Sequence, residues 1–154
     1  MEQQGLERIM ITADSSLDSI RKEALQRQAR QRVDVLDEMR AVKNAVDRGL
    51  SQRPIADLLM TSQARVSRLL KAIERRGGDL GQEPEEIILR ATAYDTDRKQ
   101  LVHALQVFPY TFGEDAPYAH EGRIPGTWDQ VVACRAQKML SVEEFDQVRR
   151  AIGR

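Results

Sequence analysis

The fold of the N-terminal half is decided by residues 50–71, LSQRPIADLLMTSQARVSRLLK. Ser51 is a residue type that caps helix N-termini, and Pro54 falls in the first turn that follows, where a missing backbone N–H is tolerated. Ser62 is suited to capping a second helix in the same way. The stretch therefore predicts a short helix, a tight turn and a longer helix.

Aliphatic residues recur in this stretch at a spacing that lets the two helices pack. Ala56 is small enough for a close approach, and Ile55 and Leu59 lie beside it. Val66 and Leu69, three residues apart, give the second helix an apolar face. The pattern resembles the helix-turn-helix of bacterial and phage transcriptional regulators over 22 of the 154 residues.

The resemblance implies that the second helix enters the major groove of duplex DNA. Glutamine can pair with adenine, arginine can pair with guanine, and alanine can meet a thymine methyl group. The expected base-reading residues are small or polar: Gln63, Ala64, Ser67 and Arg68. The residues expected on the sugar-phosphate backbone, which set register rather than read sequence, are Gln52, Arg53, Thr61, Ser62, Arg65 and Lys71.

One position departs from the family pattern. The family usually has glycine where this chain has Met60, because the turn often takes a left-handed conformation that costs other residues about 1 kcal/mol. A longer turn would rotate the recognition face.

Helix pairs of this kind also occur in proteins that never bind DNA. The charge of the second helix favours a DNA-binding role over a purely structural one, because residues 62–76 hold five basic residues and one acidic residue.

Charge and aromatic content divide the chain into two halves. The 24 basic and 24 acidic residues cancel, but residues 1–78 carry a net charge of +4 and residues 79–154 carry −4. All seven aromatic residues lie beyond residue 90. Single-stranded nucleic acid is usually held by aromatic stacking, so the basic half favours a duplex.

A second basic run, residues 21–32, holds five cations and one glutamate. It is either a helical arm that follows phosphates or reaches across a dimer, or a solvated helix face. Leu17, Ile20 and Ala24 form a short apolar seam for a dimer, although three positions are too few to define a coiled coil.

Several classes of protein are excluded by composition. Cys134 is the only cysteine, so no disulfide forms within the chain, and with His103 and His120 it cannot supply a four-ligand zinc site. No signal peptide or membrane span is evident, which favours a cytoplasmic protein. We find no catalytic motif and expect no enzyme activity, metal or cofactor.

The predicted fold is all-α, with a long helix, a helix-turn-helix unit and a small C-terminal helical module. Its parts are a mobile N-terminus (1–14), a DNA-binding domain (15–78), a linker (79–84) and an acidic module (85–154). No strand is predicted. Helices are expected over 16–48 (as one helix or two abutting ones), 52–59, 63–76, 85–94, 97–107, 128–138 and 142–152.

Cap residues set the predicted helix ends. Gly49 and residues 77–78 end helices, and Thr96 is expected to cap one. Two capping boxes are predicted, Thr127 with Gln130 and Ser141 with Glu144. Residues 108–125, rich in proline, glycine and aromatic residues, predict a long irregular loop.

The C-terminal module is similar in pattern to an uncharacterised tail of small helix-turn-helix proteins of bacteria and mobile elements. This resemblance implies no activity. Four aromatic residues are most simply core anchors: Phe108, Phe112, Trp128 and Phe145. Alternatively, the loop presents a partner-binding surface made of Tyr110, Phe112 and Tyr118.

We therefore expect a sequence-specific regulator of transcription, a repressor, that binds double-stranded DNA as a homodimer on an inverted repeat. The alternative is an antitoxin or adaptor whose C-terminal module holds a protein partner and whose DNA binding serves autoregulation.

Overall fold

A computed structural model describes the backbone of residues 2–118 and 122–154, with side chains from Ser16 onward. Within these residues the chain is mostly helical, as the sequence predicts. Residues 119–121 of the predicted loop, His120 among them, lie outside the described part. The helices are α1 Glu2–Asp47, α2 Gln52–Leu58, α3 Gln63–Arg75, α4 Pro84–Tyr94, α5 Arg98–Val107, α6 Thr127–Ala136 and α7 Val142–Ala151.

Two short strands break the helical pattern. β1 (Glu114–Asp115) and β2 (Arg123–Ile124) pair antiparallel within the predicted irregular loop. The prediction of no strand is therefore wrong at this point. Strands of two residues carry no periodic pattern, so the sequence gives no signal for them.

The chain divides into two compact units. The small unit is Gln31–Glu83, and the large unit combines α1 as far as Arg30 with Pro84–Arg154. The boundary at Pro84 falls in the predicted linker. The other boundary lies inside α1, which is one continuous helix and whose backbone includes residues 2–14 of the predicted mobile start.

The small unit packs α2 and α3 against the C-terminal part of α1. Its buried core is Met39, Val42, Ala45, Ile55, Ala56, Val66, Leu69 and Ile73. Ile55, Ala56, Val66 and Leu69 are buried as the spacing predicts, and Leu59 is partly buried against this core. The Arg40 guanidinium donates hydrogen bonds of 3.1 and 2.9 Å to the Leu80 carbonyl oxygen, which holds the segment after α3.

Glycine ends the long helix as predicted. Gly49 has a φ of +87°, and its N–H bonds the Val46 carbonyl at 2.8 Å. The next N–H, of Leu50, reaches back to the Ala45 carbonyl at 3.1 Å. A left-handed residue at this point satisfies the last helical carbonyls, and glycine adopts it at least cost.

The large unit packs α4 against α5 and α6, and α5 against α7. A row of rings runs along it, with centroids 5.1 Å apart from Phe108 to Tyr110, 5.1 Å from Tyr110 to Trp128 and 5.6 Å from Trp128 to Phe145. Three of the four predicted aromatic anchors are thus in this row. Phe112 is instead exposed, with the Arg154 guanidinium 3.9 Å from its ring centroid.

Two helix caps differ by one residue from the prediction. Asp97, not Thr96, caps α5, because its carboxylate accepts the Lys99 N–H at 2.9 Å. Gly126, not Thr127, is the cap position of α6, and its N–H donates to the Asp129 carboxylate at 2.8 Å.

Gly126 is required by a close approach of the backbone. A Cβ there would collide with the Thr111 carbonyl oxygen. The predicted capping box of α7 is confirmed, because Ser141 Oγ accepts the Glu144 N–H at 3.0 Å and the Glu144 carboxylate accepts the Ser141 N–H at 2.9 Å.

Candidate nucleic-acid interface

The turn between α2 and α3 is built around Met60 in the left-handed conformation, with a φ of 55°. The Met60 N–H donates to the Asp57 carbonyl at 3.3 Å, and the Thr61 N–H donates to the Ala56 carbonyl at 2.9 Å. This pair of bonds closes the end of α2. The turn thus holds a left-handed conformation at a methionine whose surface is 94% exposed.

The first turn of α3 is capped as predicted. Ser62 Oγ accepts the Arg65 N–H at 3.1 Å. Gln63 and Ala64 follow and are both exposed. The free N–H groups at this end of the helix favour an anion such as a phosphate.

One face of α3 is apolar and buried, and the opposite face is exposed and basic. The buried face is Val66, Leu69 and Ile73. Residues at spacings of four, three and four lie in line on the other side of the helix. This α3 outer stripe consists of Ala64, Arg68, Lys71 and Arg75, all of them exposed. Ser67 lies next to it and is partly exposed.

The small unit contains ten arginine and lysine residues, and they fall into two groups. Five have a hydrogen bond or another polar partner: Arg32, Arg40, Lys43, Arg48 and Arg65. The others are exposed and make no ion pair with any described residue: Arg53, Arg68, Lys71, Arg75 and Arg76. The uncompensated positive charge of this unit therefore lies on α2, α3 and the cap that follows α3.

Arg65, predicted to contact the DNA backbone, has a partner inside the protein. Its Nε donates to Glu38 Oε1 on α1 at 2.6 Å, and the two side chains are 40% and 29% exposed. Because residue 65 projects sideways from the outer stripe, its side chain reaches α1. Arg65 therefore orients α3, and the Glu38 carboxylate already neutralises the charge of its guanidinium.

The other predicted backbone contacts divide by exposure. Arg53, Ser62 and Lys71 are exposed, whereas Gln52 and Thr61 are partly buried. Arg75 was missed as a site residue because it lies beyond the segment that carries the resemblance. Its spacing of four from Lys71 was the signal that could have placed it on the same face.

The three residues predicted as a partner surface have different environments. Tyr118 is exposed, and Phe112 lies beneath Arg154. Tyr110 lies in the row of rings, and its hydroxyl donates to the Leu105 carbonyl at 2.5 Å. Burial raises the pKa of Tyr110 to about 12, which agrees with a structural hydroxyl.

Among the described residues, no group of three or more His, Cys, Asp or Glu side chains is placed to hold a metal ion. Nor is any helix in this part of the chain long and apolar enough to cross a membrane. Cys134 is buried in α6.

Chemically, the outer stripe can bind a polyanion. Its three cations make no ion pair with any side chain that the structure describes, and the opposite face of the helix is fixed in a core, so they can neutralise phosphates at little cost in protein reorganisation. Comparisons of the chain with protein-family models, curated proteins and solved structures found no match.

Proposed function

We propose that the protein is a sequence-specific regulator of transcription that binds duplex DNA by placing α3 in the major groove. The observation that carries the proposal is the α3 outer stripe, with Arg68, Lys71 and Arg75 exposed and without an ion pair among the described residues. An α-helix fits the major groove, and arginine is the commonest reader of guanine there. Of the seven other cations in the small unit, five have polar partners, and Arg53 and Arg76 are exposed without an ion pair among the described residues.

Base reading is assigned to the first two turns of α3. Gln63, Ser67 and Arg68 present hydrogen-bonding groups, and Ala64 offers a methyl group for contact with thymine. Arg68 lies near the middle of the outer stripe, so we give it the largest share of sequence discrimination.

Phosphate contacts are assigned to the residues that flank the base-reading turns. Arg53, Ser62 and Lys71 are exposed, and Gln52 and Thr61 stand beside them in sequence. Arg75 joins this set because it continues the outer stripe. Arg65 leaves it, because Glu38 already holds its guanidinium.

We further propose a homodimer on an inverted repeat. A single helix reads only a few base pairs, whereas specific protein–DNA interfaces bury about 1,000–2,500 Å² of protein surface. Two copies on half-sites about 34 Å apart would supply that area. Leu17 and Ile20 on α1 are exposed and available for a dimer contact. A dimer bound over a promoter excludes other proteins, so repression is the proposed outcome.

The experiment is a selection of duplexes from a random DNA pool with the full chain, followed by titration of the selected duplexes at two salt concentrations. We expect an enriched palindromic motif and an affinity that falls as salt rises. Weak binding without any enriched motif would contradict the proposal. It would favour the adaptor or antitoxin, whose partner is a protein bound by the large unit.

A further inference from the structure

The large unit contains a groove of about 790 Å³ between α4, α6 and α7, with α1 at one edge. This volume lies within the range of about 300–1,000 Å³ that small-molecule sites occupy. Five apolar residues line it: Leu25 and Val142 present accessible surface, whereas Ala91, Met139 and Leu140 are buried behind it. The groove thus offers room and an apolar wall for an organic ligand.

One charged pair in the groove is internally neutralised. Arg98 donates to both carboxylate oxygens of Glu144, at 2.7 and 2.8 Å, and to the Met139 carbonyl at 2.9 Å. Three hydrogen bonds from one guanidinium fix this part of the wall. Arg98 and Glu144 therefore shape the groove without adding net charge to it.

The remaining charged groups give the groove a positive balance. Lys22, Arg135 and Lys138 line it together with Asp95, and none of the four makes an ion pair among the described residues. Three cations thus stand against one carboxylate. The segment Pro84–Arg154 as a whole carries 9 basic and 11 acidic residues, so the groove is positive within an acidic segment. Its charge is complementary to an anion.

Two of the lining residues are held in an uncommon backbone conformation. Asp95 and Lys138 have φ values of 50° and 65°, and Met60 is the other non-glycine residue with positive φ in the described chain. Lys138 follows the C-cap of α6, a position where glycine is the usual residue. At this position lysine adds a cation to the groove, which glycine would not do. Non-glycine residues with positive φ are strained, and backbone strain of this kind concentrates at functional sites.

We propose that this groove binds a small amphipathic anion. Its acidic group would lie at the cationic rim formed by Arg135 and Lys138, and its apolar body would lie against Leu25 and Val142, the accessible apolar residues of the lining. The shared chemistry is an acid on a hydrocarbon or aryl body, whether a carboxylate or a phosphate ester. This site belongs to the large unit and does not rest on the proposed DNA binding.

The test uses the full chain without DNA, titrated with octanoate, octyl phosphate and 1-octanol and followed by the amide chemical shifts of the groove residues. We expect both anions to bind at the groove at least about tenfold more tightly than the neutral alcohol, as for a charge-assisted hydrogen bond. The tighter of the two anions identifies the acidic group. Equal binding of octanol and the anions, or no shift at the groove, would overturn the proposal.

Variants separate a site from general charge attraction. Lys138→Gln and Arg135→Gln should each weaken octanoate binding about tenfold. Lys99→Gln removes the same charge from an exposed position on α5 outside the groove and should leave the affinity unchanged. Thermal unfolding checks that each variant is folded. An equal loss of affinity in Lys99→Gln would contradict a defined site.

Discussion

The Nε atom of Arg65 on α3 donates a 2.6 Å hydrogen bond to the Glu38 carboxylate on α1, 27 residues earlier in the chain. This contact fixes the rotation of α3 about its own axis, together with the buried face made of Val66, Leu69 and Ile73. Arg68 and Lys71 are thereby left pointing to solvent. The pair thus orients the proposed DNA-reading surface without belonging to it.

A double-mutant cycle measures this pair. Arg65→Ala, Glu38→Ala and the double variant should give a coupling free energy of about 0.5–1 kcal/mol in urea unfolding, since both side chains are partly exposed. Arg21 and Asp18 form a matched control on α1, with a 3.6 Å separation and both side chains 75% exposed. Their coupling should be close to zero. Equal coupling in both cycles would contradict the structural role of Arg65.

Lys71 should act on DNA through charge rather than sequence. Lys71→Ala should weaken all duplexes similarly and reduce the slope of log affinity against log salt by about one unit. Lys43→Ala removes the same charge from α1, where Lys43 is paired with Asp47 at 3.0 Å, and should leave the slope unchanged. If the two variants changed the slope equally, the stripe would not be the phosphate contact.

Met60 stores backbone strain in the turn before α3. Met60→Gly should raise the free energy of unfolding by up to about 1 kcal/mol, because the left-handed conformation costs an L-residue about 1–2 kcal/mol and glycine adopts it freely. Met60→Ala removes the same exposed side chain but keeps the strain, so its stability should stay near that of the wild type. Urea unfolding of the three proteins measures both effects. If the glycine variant were no more stable than the alanine variant, the left-handed conformation of Met60 would be contradicted.

Glu144 makes the large unit sensitive to acid. The hydrogen bonds from Arg98 lower the pKa of the Glu144 carboxyl, and the opposing effect of burial does not cancel them. Because the folded-state pKa lies below the unfolded value of about 4.3, the stabilisation is complete above that pH and is lost as pH falls through the folded-state pKa.

Glu144→Gln should therefore cost about 1.5 kcal/mol at pH 7, the lower end for hydrogen bonds to charged groups because Arg98 is partly exposed. The difference from the wild type should shrink below about pH 4. Glu143→Gln removes the same charge one residue away, at an exposed position, and should cost about 0.5 kcal/mol or less. Urea unfolding at pH 7 and pH 3.5 makes the comparison, and a pH-independent cost for Glu144→Gln would contradict the linkage.

Most helix positions could be predicted because local chemistry sets them. Gly49 ends α1 through its left-handed conformation, and Ser62 and Ser141 cap α3 and α7 with their hydroxyl groups. The errors are also local. Thr96 stands next to Asp97, and either side chain could cap α5, so the sequence fixes that end only to within one residue.

What could not be predicted depends on contacts between distant residues. The partner of Arg65 lies on another helix, and a single sequence gives no signal for such a pair. The contact between the rings of Tyr110 and Trp128 likewise joins residues that are distant in the chain. Arg75 differs from these cases, because its position on the exposed face follows from helical periodicity alone.

The measurement that bears most directly on DNA reading compares Arg68→Ala with Arg48→Ala on a selected duplex and on a scrambled one. Arg48 is a matched control, since it has the same charge and its Nε donates to Asn44 Oδ1 at 2.9 Å. We predict that Arg68→Ala costs about 1–3 kcal/mol on the selected duplex and much less on the scrambled duplex, while Arg48→Ala costs little on either. An equal loss on both duplexes for Arg68→Ala would contradict base reading by α3.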